Sequence, residues 1–271
     1  MWDCEHPPLD AVLAHRYQID RISPSECAAR LASGQADIGL VPIAALAANP
    51  TLRILPGCTI ASKGRVRSLL LVRRANQPLT TLRSVAADTA SRTTLAYARI
   101  LFHRWGNPAV PFIPVAADLD RMLDLADAAI LIGDPALLAL EERENRLERT
   151  GEQLAYHDLA EEWTTLTGLP FVSAVWGATE NTPGTENLSS ETWDSITHDF
   201  IQSRDHGLAN IDALVSEWSA RLPIPEQTIR TYLTTNIHYI LDDECIAGMK
   251  AFFRETAALG ILPAYTLPPL G

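Results

Sequence analysis

Apolar runs with the length of β-strands alternate with amphipathic, helix-like runs over most of residues 17–176, and this alternation constrains the fold more than any other feature. The clearest helix is "SPSECAARLASG", in which Ser23 is the expected N-cap, Glu26 completes a capping box and Gly34 ends the helix. A buried strand at residues 38–41 follows. Strands that alternate with helices in this way predict a parallel sheet with right-handed crossover connections.

The alternation occurs twice, with a polar link around Pro78 between the two units. The first unit begins with a predicted strand at residues 17–22 and ends with the strand-like segments "LRILPGCTIAS" and "RSLLLVRR". The second unit contains the predicted strands "SVAAD", "AVPFIPV" and "DAAILIGD" together with several helices, the last of which is "YHDLAEEWTTLTGLP". From residue 189 onward the pattern is almost entirely helical.

The two units predict an α/β protein with two lobes and a helical C-terminal tail. Lobe I comprises residues 1–75 and 171–271, and lobe II comprises residues 76–170. The strand predicted at residues 171–176 returns the chain to the first unit. Since the chain crosses twice between the lobes, we expect a hinged clamshell that binds its ligand in the cleft.

The composition excludes several classes of protein. Of the 271 residues, 47% are apolar and 20% are charged, a balance typical of a soluble globular protein. No apolar run approaches the roughly 20 residues that span a bilayer, so we expect no membrane association. The net charge of −11 argues against nucleic acid as a partner.

The cysteine and histidine patterns bear on compartment and cofactors. The four cysteines form no CxxC pair, so free thiols in a reducing cytoplasm are favoured over two disulfides. The N-terminal residues "MWDCEHPPLD" lack the basic and apolar regions of a secretory signal. No His or Cys spacing resembles a zinc site, and neither GxGxxG nor a P-loop occurs. We therefore expect a cytoplasmic protein that uses no metal and no nucleotide cofactor.

Positive charge is concentrated in one part of this acidic chain. Residues 53–104 contain ten Lys or Arg residues and one acidic residue, Asp88, which gives the segment a net charge of +9 and leaves −20 for the remainder. A local positive field in an acidic body suits a small anionic ligand. The alternative is a set of surface arginines that pair with acidic residues elsewhere in the fold.

The segment "DTASRTT" is the strongest candidate for an anion site. It joins a predicted strand to a predicted helix, so its hydroxyls and the first N–H groups of the helix lie where α/β sheets bind ligands. The candidate residues are Thr89, Ser91, Arg92, Thr93 and Thr94. The alternative is an ordinary helix cap, which needs one of these side chains and leaves the others in solvent.

Two further segments are candidates. "ASKGRVRS" predicts a hairpin with a basic turn, in which Ser68 opens the second strand and is placed to face a cleft, although a solvated turn is the alternative. "LIGDPAL" is another strand-to-helix junction. Asp134 is its expected N-cap and Gly133 allows a ligand to approach closely, while capping alone would also explain this segment.

Five stretches, taken together and in this order, resemble the MqnA family of menaquinone biosynthesis, the chorismate dehydratases of the futalosine pathway. They are "SPSECAARLASGQADIGLVPIAAL", "LRILPGCTIASKGRVRSLLLV", "VAADTASRTTLAYARILF", "ADAAILIGDPAL" and "EEWTTLTGLPFVSAVW". The resemblance implies a type II periplasmic-binding-protein-like fold. It also implies a cytoplasmic lyase that removes water from chorismate, without metal or nucleotide, to form 3-[(1-carboxyvinyl)oxy]benzoate.

The resemblance also implies roles for individual residues, although it assigns no catalytic base. The residues it assigns to one carboxylate of chorismate are Ser91, Arg92, Thr93 and Thr94. The other carboxylate is assigned to Ser68 on the opposing strand, and the lining of the cleft to Gly133 and Asp134. Family members begin with a strand and a "YLN"-type turn that have no counterpart in "MWDCEHPPLD", so we expect the first N-terminal strand and the family's early Asn to be missing.

Other functions are compatible with the same fold. The main alternative is a non-catalytic solute-binding module for a small aromatic or dicarboxylic anion. The effector domain of a LysR-type regulator shares the fold, but no helix-turn-helix precedes the α/β segments. A related enzyme that acts on a later intermediate of the same pathway also stays open, because "SRTT" does not distinguish between these substrates.

Overall fold

The computed structural model describes residues 15–88, 92–179, 188–268 and 270. Within these ranges eight strands form two sheets, which are covered by helices. The strands are β1 (Ile38–Pro42), β2 (Arg53–Ser62), β3 (Leu69–Arg74), β4 (Val85–Ala87), β5 (Phe112–Pro114), β6 (Ala128–Ile132), β7 (Leu154–Asp158) and β8 (Phe171–Ala178). The helices are α1 (Pro24–Ala32), α2 (Arg92–Arg104), α3 (Leu119–Leu125), α4 (Asp134–Glu141), α5 (Arg143–Thr150), α6 (Leu159–Thr167), α7 (Ser190–Ala209), α8 (Ile211–Ser219), α9 (Glu226–Thr231) and α10 (Asp243–Ala258).

The smaller sheet has the strand order β1-β8-β2, and both pairs of neighbours are antiparallel. Val175 of β8 lies opposite Val41 of β1 on one side and opposite Thr59 of β2 on the other. β8 is thus the central strand although it comes last in the chain. This pairing confirms that the strand predicted at residues 171–176 returns to the first unit.

The larger sheet has the strand order β5-β4-β6-β3-β7. β4 is parallel to both β5 and β6, whereas β3 is antiparallel to both β6 and β7. The prediction of a parallel sheet is therefore wrong for the smaller sheet and holds only for β5, β4 and β6 in the larger one. The reason is that an apolar run shows that a strand is buried but not in which direction its neighbours run.

Two other predicted elements differ from the structure. Residues 17–22 form no strand and lie in an irregular segment that leads to α1. The segment predicted as one helix from residue 156 begins as β7, and α6 starts only after Asp158, whose side chain caps it. α1 agrees with its prediction, since the Ser23 hydroxyl accepts a hydrogen bond from the N–H of Glu26.

The chain passes from the smaller to the larger sheet through residues 63–68, the crossing segment, which joins β2 to β3. The sequence analysis predicts a hairpin here, which is wrong because β2 and β3 pair in different sheets. β3, which falls within the predicted lobe I, shares its sheet with the strands of the predicted lobe II. The expected loss of a first N-terminal strand concerns residues 1–14, which lie outside the described residues.

The C-terminal helices pack against the sheets and against one another. α7 lies along β2, α8 packs on α9, and α10 packs against β8 and α2. These helices form the tail that the pattern predicts from residue 189 onward. No helix in the described ranges has the length and apolar character that a membrane span requires.

Four aromatic side chains form a cluster between the helices and the smaller sheet. Tyr97 of α2 stacks on Phe171 of β8, with ring centroids 3.9 Å apart, and also contacts Trp163 of α6 and Phe252 of α10. All four side chains are fully buried. Because α2 and α6 follow strands of the larger sheet, this cluster connects the two sheets through the core.

Candidate functional site

Several chain segments meet at one edge of the larger sheet, where the parallel strands β4 and β6 end. The N–H of Gly133, directly after β6, donates to the carbonyl oxygen of Ser68 at 2.8 Å. The N–H of Asp88, directly after β4, donates to a carbonyl oxygen of β6 at 3.3 Å and so brings the start of α2 to the same edge. We name Ser68, Gly133, Arg92 and the nearby Tyr232 the sheet-edge site. Ser68 therefore lies next to the end of β6, which separates it from the end of β4, and it belongs to the same sheet as β4 and not to an opposing one.

A pair of hydroxyl groups is at the centre of the sheet-edge site. Tyr232 lies in a π-helical turn, Tyr232–Asn236, and donates its O–H to Oγ of Ser68 at 3.1 Å. Ser68 is 6% exposed, and burial raises the pKa of Tyr232, so the phenol keeps its proton at neutral pH. Since Ser68 accepts this bond, its own hydrogen remains to donate to a ligand oxygen.

The first turn of α2 contributes a cation to this edge. Arg92 is exposed and has no acidic partner in the part of the chain that the structure describes. Thr93 and Thr94 are fully buried, and Oγ1 of Thr93 accepts the N–H of Ala44 at 3.0 Å. The Thr93 hydroxyl thus bonds to the turn after β1 and connects the first turn of α2 to the smaller sheet, and its role as a ligand contact stays a prediction. The predicted site residues outside the described residues are Thr89 and Ser91.

Thr93→Val is expected to change stability, because valine keeps the shape of the side chain and removes the acceptor for the N–H of Ala44. We expect the free energy of unfolding to fall by about 1–3 kcal/mol, as for other buried donors left unpaired. Urea unfolding measures this change. Thr81→Val, which removes an exposed hydroxyl bond, is the control and should change stability by less than about 0.5 kcal/mol. Equal stability of the two variants would contradict the assignment.

The start of α4 differs from its prediction. Gly133 occupies the N-cap position with a φ of 71°, which glycine adopts readily. Asp134, the predicted cap, is instead the first helical residue; its carboxylate is exposed, and no side chain caps this helix. Arg92 gives the start of α2 a positive charge that the start of α4 lacks, so we favour the start of α2 as the anion-binding end.

The three cations of the crossing segment are all paired with acidic side chains. The pairs are Lys63–Asp242 at 2.8 Å, Arg65–Glu161 at 2.9 Å and Arg67–Glu141 at 2.6 Å. Further pairs within the positively charged segment are Arg74–Glu152, Arg83–Asp127 and Arg104–Glu255. For these six cations the alternative interpretation, pairing with acidic residues elsewhere in the fold, is the correct one. In the crossing segment, the hydroxyl of Ser68 is therefore the polar group that we consider for ligand binding.

The sequence analysis missed Tyr232 and Asn236, which lie in a segment that it predicts as an ordinary helix. Asn236 is 9% exposed, and its Nδ2 donates to the carbonyl oxygen of Arg65 at 3.0 Å. Its Oδ1 is buried and has no hydrogen-bond partner among the described residues. No local pattern marks either residue, because both reach the crossing segment only through the π-helical turn.

One group of side chains has the chemistry of metal ligands. Donor atoms of His238, Asp242 and Cys245 lie within 4.8 Å of one another. Both oxygens of Asp242 are already engaged, since Oδ2 pairs with Lys63 and Oδ1 accepts the N–H of Cys245 at the start of α10. Burial raises the pKa of the Cys245 thiol to about 12, which opposes the thiolate that a metal would need. We assign this group to the cap of α10.

Comparison with known sequences identifies relatives of this chain. The family model described as "Menaquinone biosynthesis" matches residues 6–258. A protein of Thermus thermophilus named chorismate dehydratase is 28% identical over 250 residues, which cover 89% of this chain and 87% of that protein.

Comparison with solved structures identifies the fold. Protein AF1704 from Archaeoglobus fulgidus superposes with a TM-score of 0.66 at 16% identity, covering 90% of this chain and 86% of that one. The periplasmic aliphatic sulphonate binding protein SsuA from Escherichia coli superposes with a TM-score of 0.60 at 14% identity, covering 95% and 86%. At these identities the likeness shows the fold alone. The chain has a periplasmic-binding-protein-like fold, which confirms the prediction.

Proposed function

Because the chain belongs to the menaquinone biosynthesis family, we propose that it is a lyase, a chorismate dehydratase. The observation that carries this proposal is the part-buried hydroxyl pair of Ser68 and Tyr232, which lies at the same sheet edge as the exposed Arg92. The pair offers one oriented donor, and Arg92 offers a positive charge. A small substrate with more than one anionic group suits this arrangement.

Chorismate has two carboxylates, and the sheet-edge site has a group for each. Arg92, at the positive end of the α2 dipole, supports binding of one carboxylate. The hydroxyl of Ser68, oriented by Tyr232, supports binding of the other through a charge-assisted hydrogen bond. The two groups act from one edge of the larger sheet, so the ring of the substrate would lie between them and the smaller sheet.

The proposed reaction is an elimination that needs no cofactor. A ring C–H bond and the C–O bond of the ring hydroxyl break, and a C=C bond forms that completes the aromatic ring. The proton and the hydroxide leave together as water, and the product is 3-[(1-carboxyvinyl)oxy]benzoate. Since aromatisation drives the reaction, the task of the protein is to orient the C–H bond and the hydroxyl and to exclude solvent.

The same proposal places the protein in the cytoplasm, with a small anion and neither nucleic acid nor a membrane as its partner. The described cysteines, Cys27, Cys58 and Cys245, are free thiols, and this state is typical of a reducing compartment. The net charge of −11 likewise disfavours a polyanionic partner.

Incubation of the protein with chorismate tests the proposed reaction. Ultraviolet absorbance would follow formation of the aromatic ring, and mass spectrometry would detect loss of one water. Turnover supports the proposal, whereas binding of chorismate without turnover would favour the solute-binding module.

Ser68→Ala is expected to weaken chorismate binding about tenfold, because it removes a hydrogen bond to a charged group. Tyr232→Phe should have a smaller effect, since it removes only the group that orients Ser68. Isothermal titration calorimetry measures both dissociation constants, and the double variant should resemble Ser68→Ala alone. Ser33→Ala, at the exposed end of α1, is the control and should bind normally. Strictly additive effects of the two site variants would argue against the hydroxyl pair as one unit.

A further inference from the structure

Asp158 joins two parts of the molecule through its two carboxylate oxygens. Oδ2 accepts hydrogen bonds from the N–H groups of Val66 and Arg67 at 3.0 and 2.6 Å. Oδ1 accepts those of Ala160 and Glu161 at 3.1 and 3.2 Å, at the start of α6. Capping of α6 therefore uses one oxygen, and the other binds the crossing segment, 91 residues away from Asp158 at Arg67.

Arg67 has a backbone conformation that favours glycine. Its φ is 68°, the one positive value for a non-glycine residue within the described ranges. A residue with a Cβ atom pays a steric penalty there, so contacts from outside must hold the conformation. Oδ2 of Asp158 binds the N–H of this residue, and Oε1 of Glu141 binds its guanidinium at 2.6 Å.

The conformation of Arg67 determines where Ser68, the next residue, points. Ser68 is engaged on both sides, by the N–H of Gly133 at its carbonyl oxygen and by the O–H of Tyr232 at its hydroxyl. Rotation of the Arg67 backbone out of the left-handed region would turn the peptide group that leads into Ser68. The hydroxyl of Ser68 would then lose its alignment with Tyr232.

We propose that Asp158 is a positioning residue of the sheet-edge site, which holds the crossing segment in the left-handed turn that presents the Ser68 hydroxyl to the substrate. This inference rests on the proposed function. Asp158 is 6% exposed and four backbone N–H groups surround its oxygens, so it acts through Ser68 and does not touch the substrate. Burial raises the pKa of the Asp158 carboxyl. The four N–H groups oppose this rise, because they stabilise the charged form.

Asp158→Asn is the first variant, because asparagine has nearly the same size but a single acceptor oxygen. Its NH₂ group must face the N–H groups either of the crossing segment or of α6. Asp118→Asn is the matched control, since Asp118 caps α3 through the N–H of Arg121 and forms no hydrogen bond to the crossing segment in the described part of the chain. Both variants replace the carboxylate of a helix N-cap by an amide, and only the first one also releases the crossing segment.

Two double variants isolate the backbone of Arg67. Each one carries Asp158→Asn, together with either Arg67→Gly or Arg67→Ala. Both therefore lack the guanidinium of Arg67 and its ion pair with Glu141. They differ by one Cβ atom, which disfavours the left-handed region in alanine and is absent in glycine. Arg67→Gly and Arg67→Ala alone give the same comparison with Asp158 in place, and a role of Asp158 in capping α6 alone predicts the same ratio of activities in both backgrounds.

The measurements are kcat/KM for chorismate dehydration, hydrogen exchange of residues 63–68 by mass spectrometry, and urea unfolding to confirm that each variant is folded. We expect Asp158→Asn to lower kcat/KM about tenfold and to speed exchange of the crossing segment, and Asp118→Asn to do neither. We expect the double variant with glycine to exceed the one with alanine about fivefold in kcat/KM, and the ratio to be smaller when Asp158 is present.

An equal glycine-to-alanine ratio of kcat/KM with and without Asp158→Asn would overturn the inference, as would faster exchange in Asp158→Asn without loss of activity. If the wild-type protein does not convert chorismate, the proposed function fails. The exchange rates then decide separately whether Asp158 holds the crossing segment: unchanged exchange in Asp158→Asn would overturn this part too.

Discussion

Replacement of Trp163 by alanine is expected to lower the free energy of unfolding by about 3–5 kcal/mol. The indole is fully buried, contacts the ring of Tyr97 edge to face at 4.8 Å, and donates its Nε1–H to the carbonyl oxygen of Pro170 at 3.1 Å. Alanine would leave a cavity beside Tyr97, and the contacts of Tyr97 with Phe171 and Phe252 would limit how far this ring can move to fill it. Far-ultraviolet circular dichroism during urea unfolding measures the loss.

Trp218→Ala is the control, because it replaces the same type of side chain at the surface. Trp218 lies on α8 with 36% of its surface exposed and contacts the guanidinium of Arg221. We expect its replacement to cost about 1 kcal/mol or less, because little cavity forms at the surface. Comparable losses for the two tryptophans would contradict the aromatic cluster as the connection between the sheets.

Replacement of Gly248 by alanine is expected to destabilise the protein by about 2–3 kcal/mol, although alanine is the better helix former by about 1 kcal/mol. A Cβ atom at Gly248 would lie 2.4 Å from the carbonyl oxygen of Pro170. That oxygen belongs to the backbone and also accepts the bond from Trp163, so it cannot move aside as a flexible side chain would. α10 would have to shift away from the start of β8.

Gly64→Ala is the control for the Gly248→Ala replacement. No atom lies within 4 Å of the position that a Cβ would take at Gly64, and its φ is not in the left-handed region. Thermal unfolding should show a lower Tm for Gly248→Ala and a Tm within a few degrees of wild type for Gly64→Ala. An unchanged or raised Tm for Gly248→Ala would mean that helix propensity outweighs the contact, and that α10 lies farther from Pro170.

The sheet-edge site shows which candidate site residues can be found from the sequence. Ser68, Gly133 and Arg92 stand next to strand ends, and these junctions are visible as local patterns. Tyr232 follows Ser68 by 164 residues, and no pattern connects the two. Asp158 is predictable in part. Its position three residues before Glu161 is a capping signal for the start of α6, whereas no sequence pattern predicts its bond to the N–H of Arg67.

The uneven distribution of charge along the chain is a second feature that the sequence explains only in part. The sequence shows that residues 53–104 carry a net charge of +9, but not where the balancing acidic groups lie. In the structure Lys63, Arg65 and Arg67 find acidic partners on three different helices or their caps. Folding thus uses most of this charge in ion pairs, and Arg92 remains the cation that the sheet-edge site offers.

The sequence by itself determined the helix that starts at Ser23, the buried strands, the strand-to-helix junctions and the family to which the chain belongs. Only the tertiary structure decided that the smaller sheet is antiparallel, that the chain crosses between sheets before β3, and that Thr93 binds Ala44. The physical reason is the distance along the chain over which each interaction acts. Caps and apolar periods act between residues a few positions apart, whereas strand neighbours, ion pairs and hydroxyl pairs depend on contacts that exist only once the chain has folded.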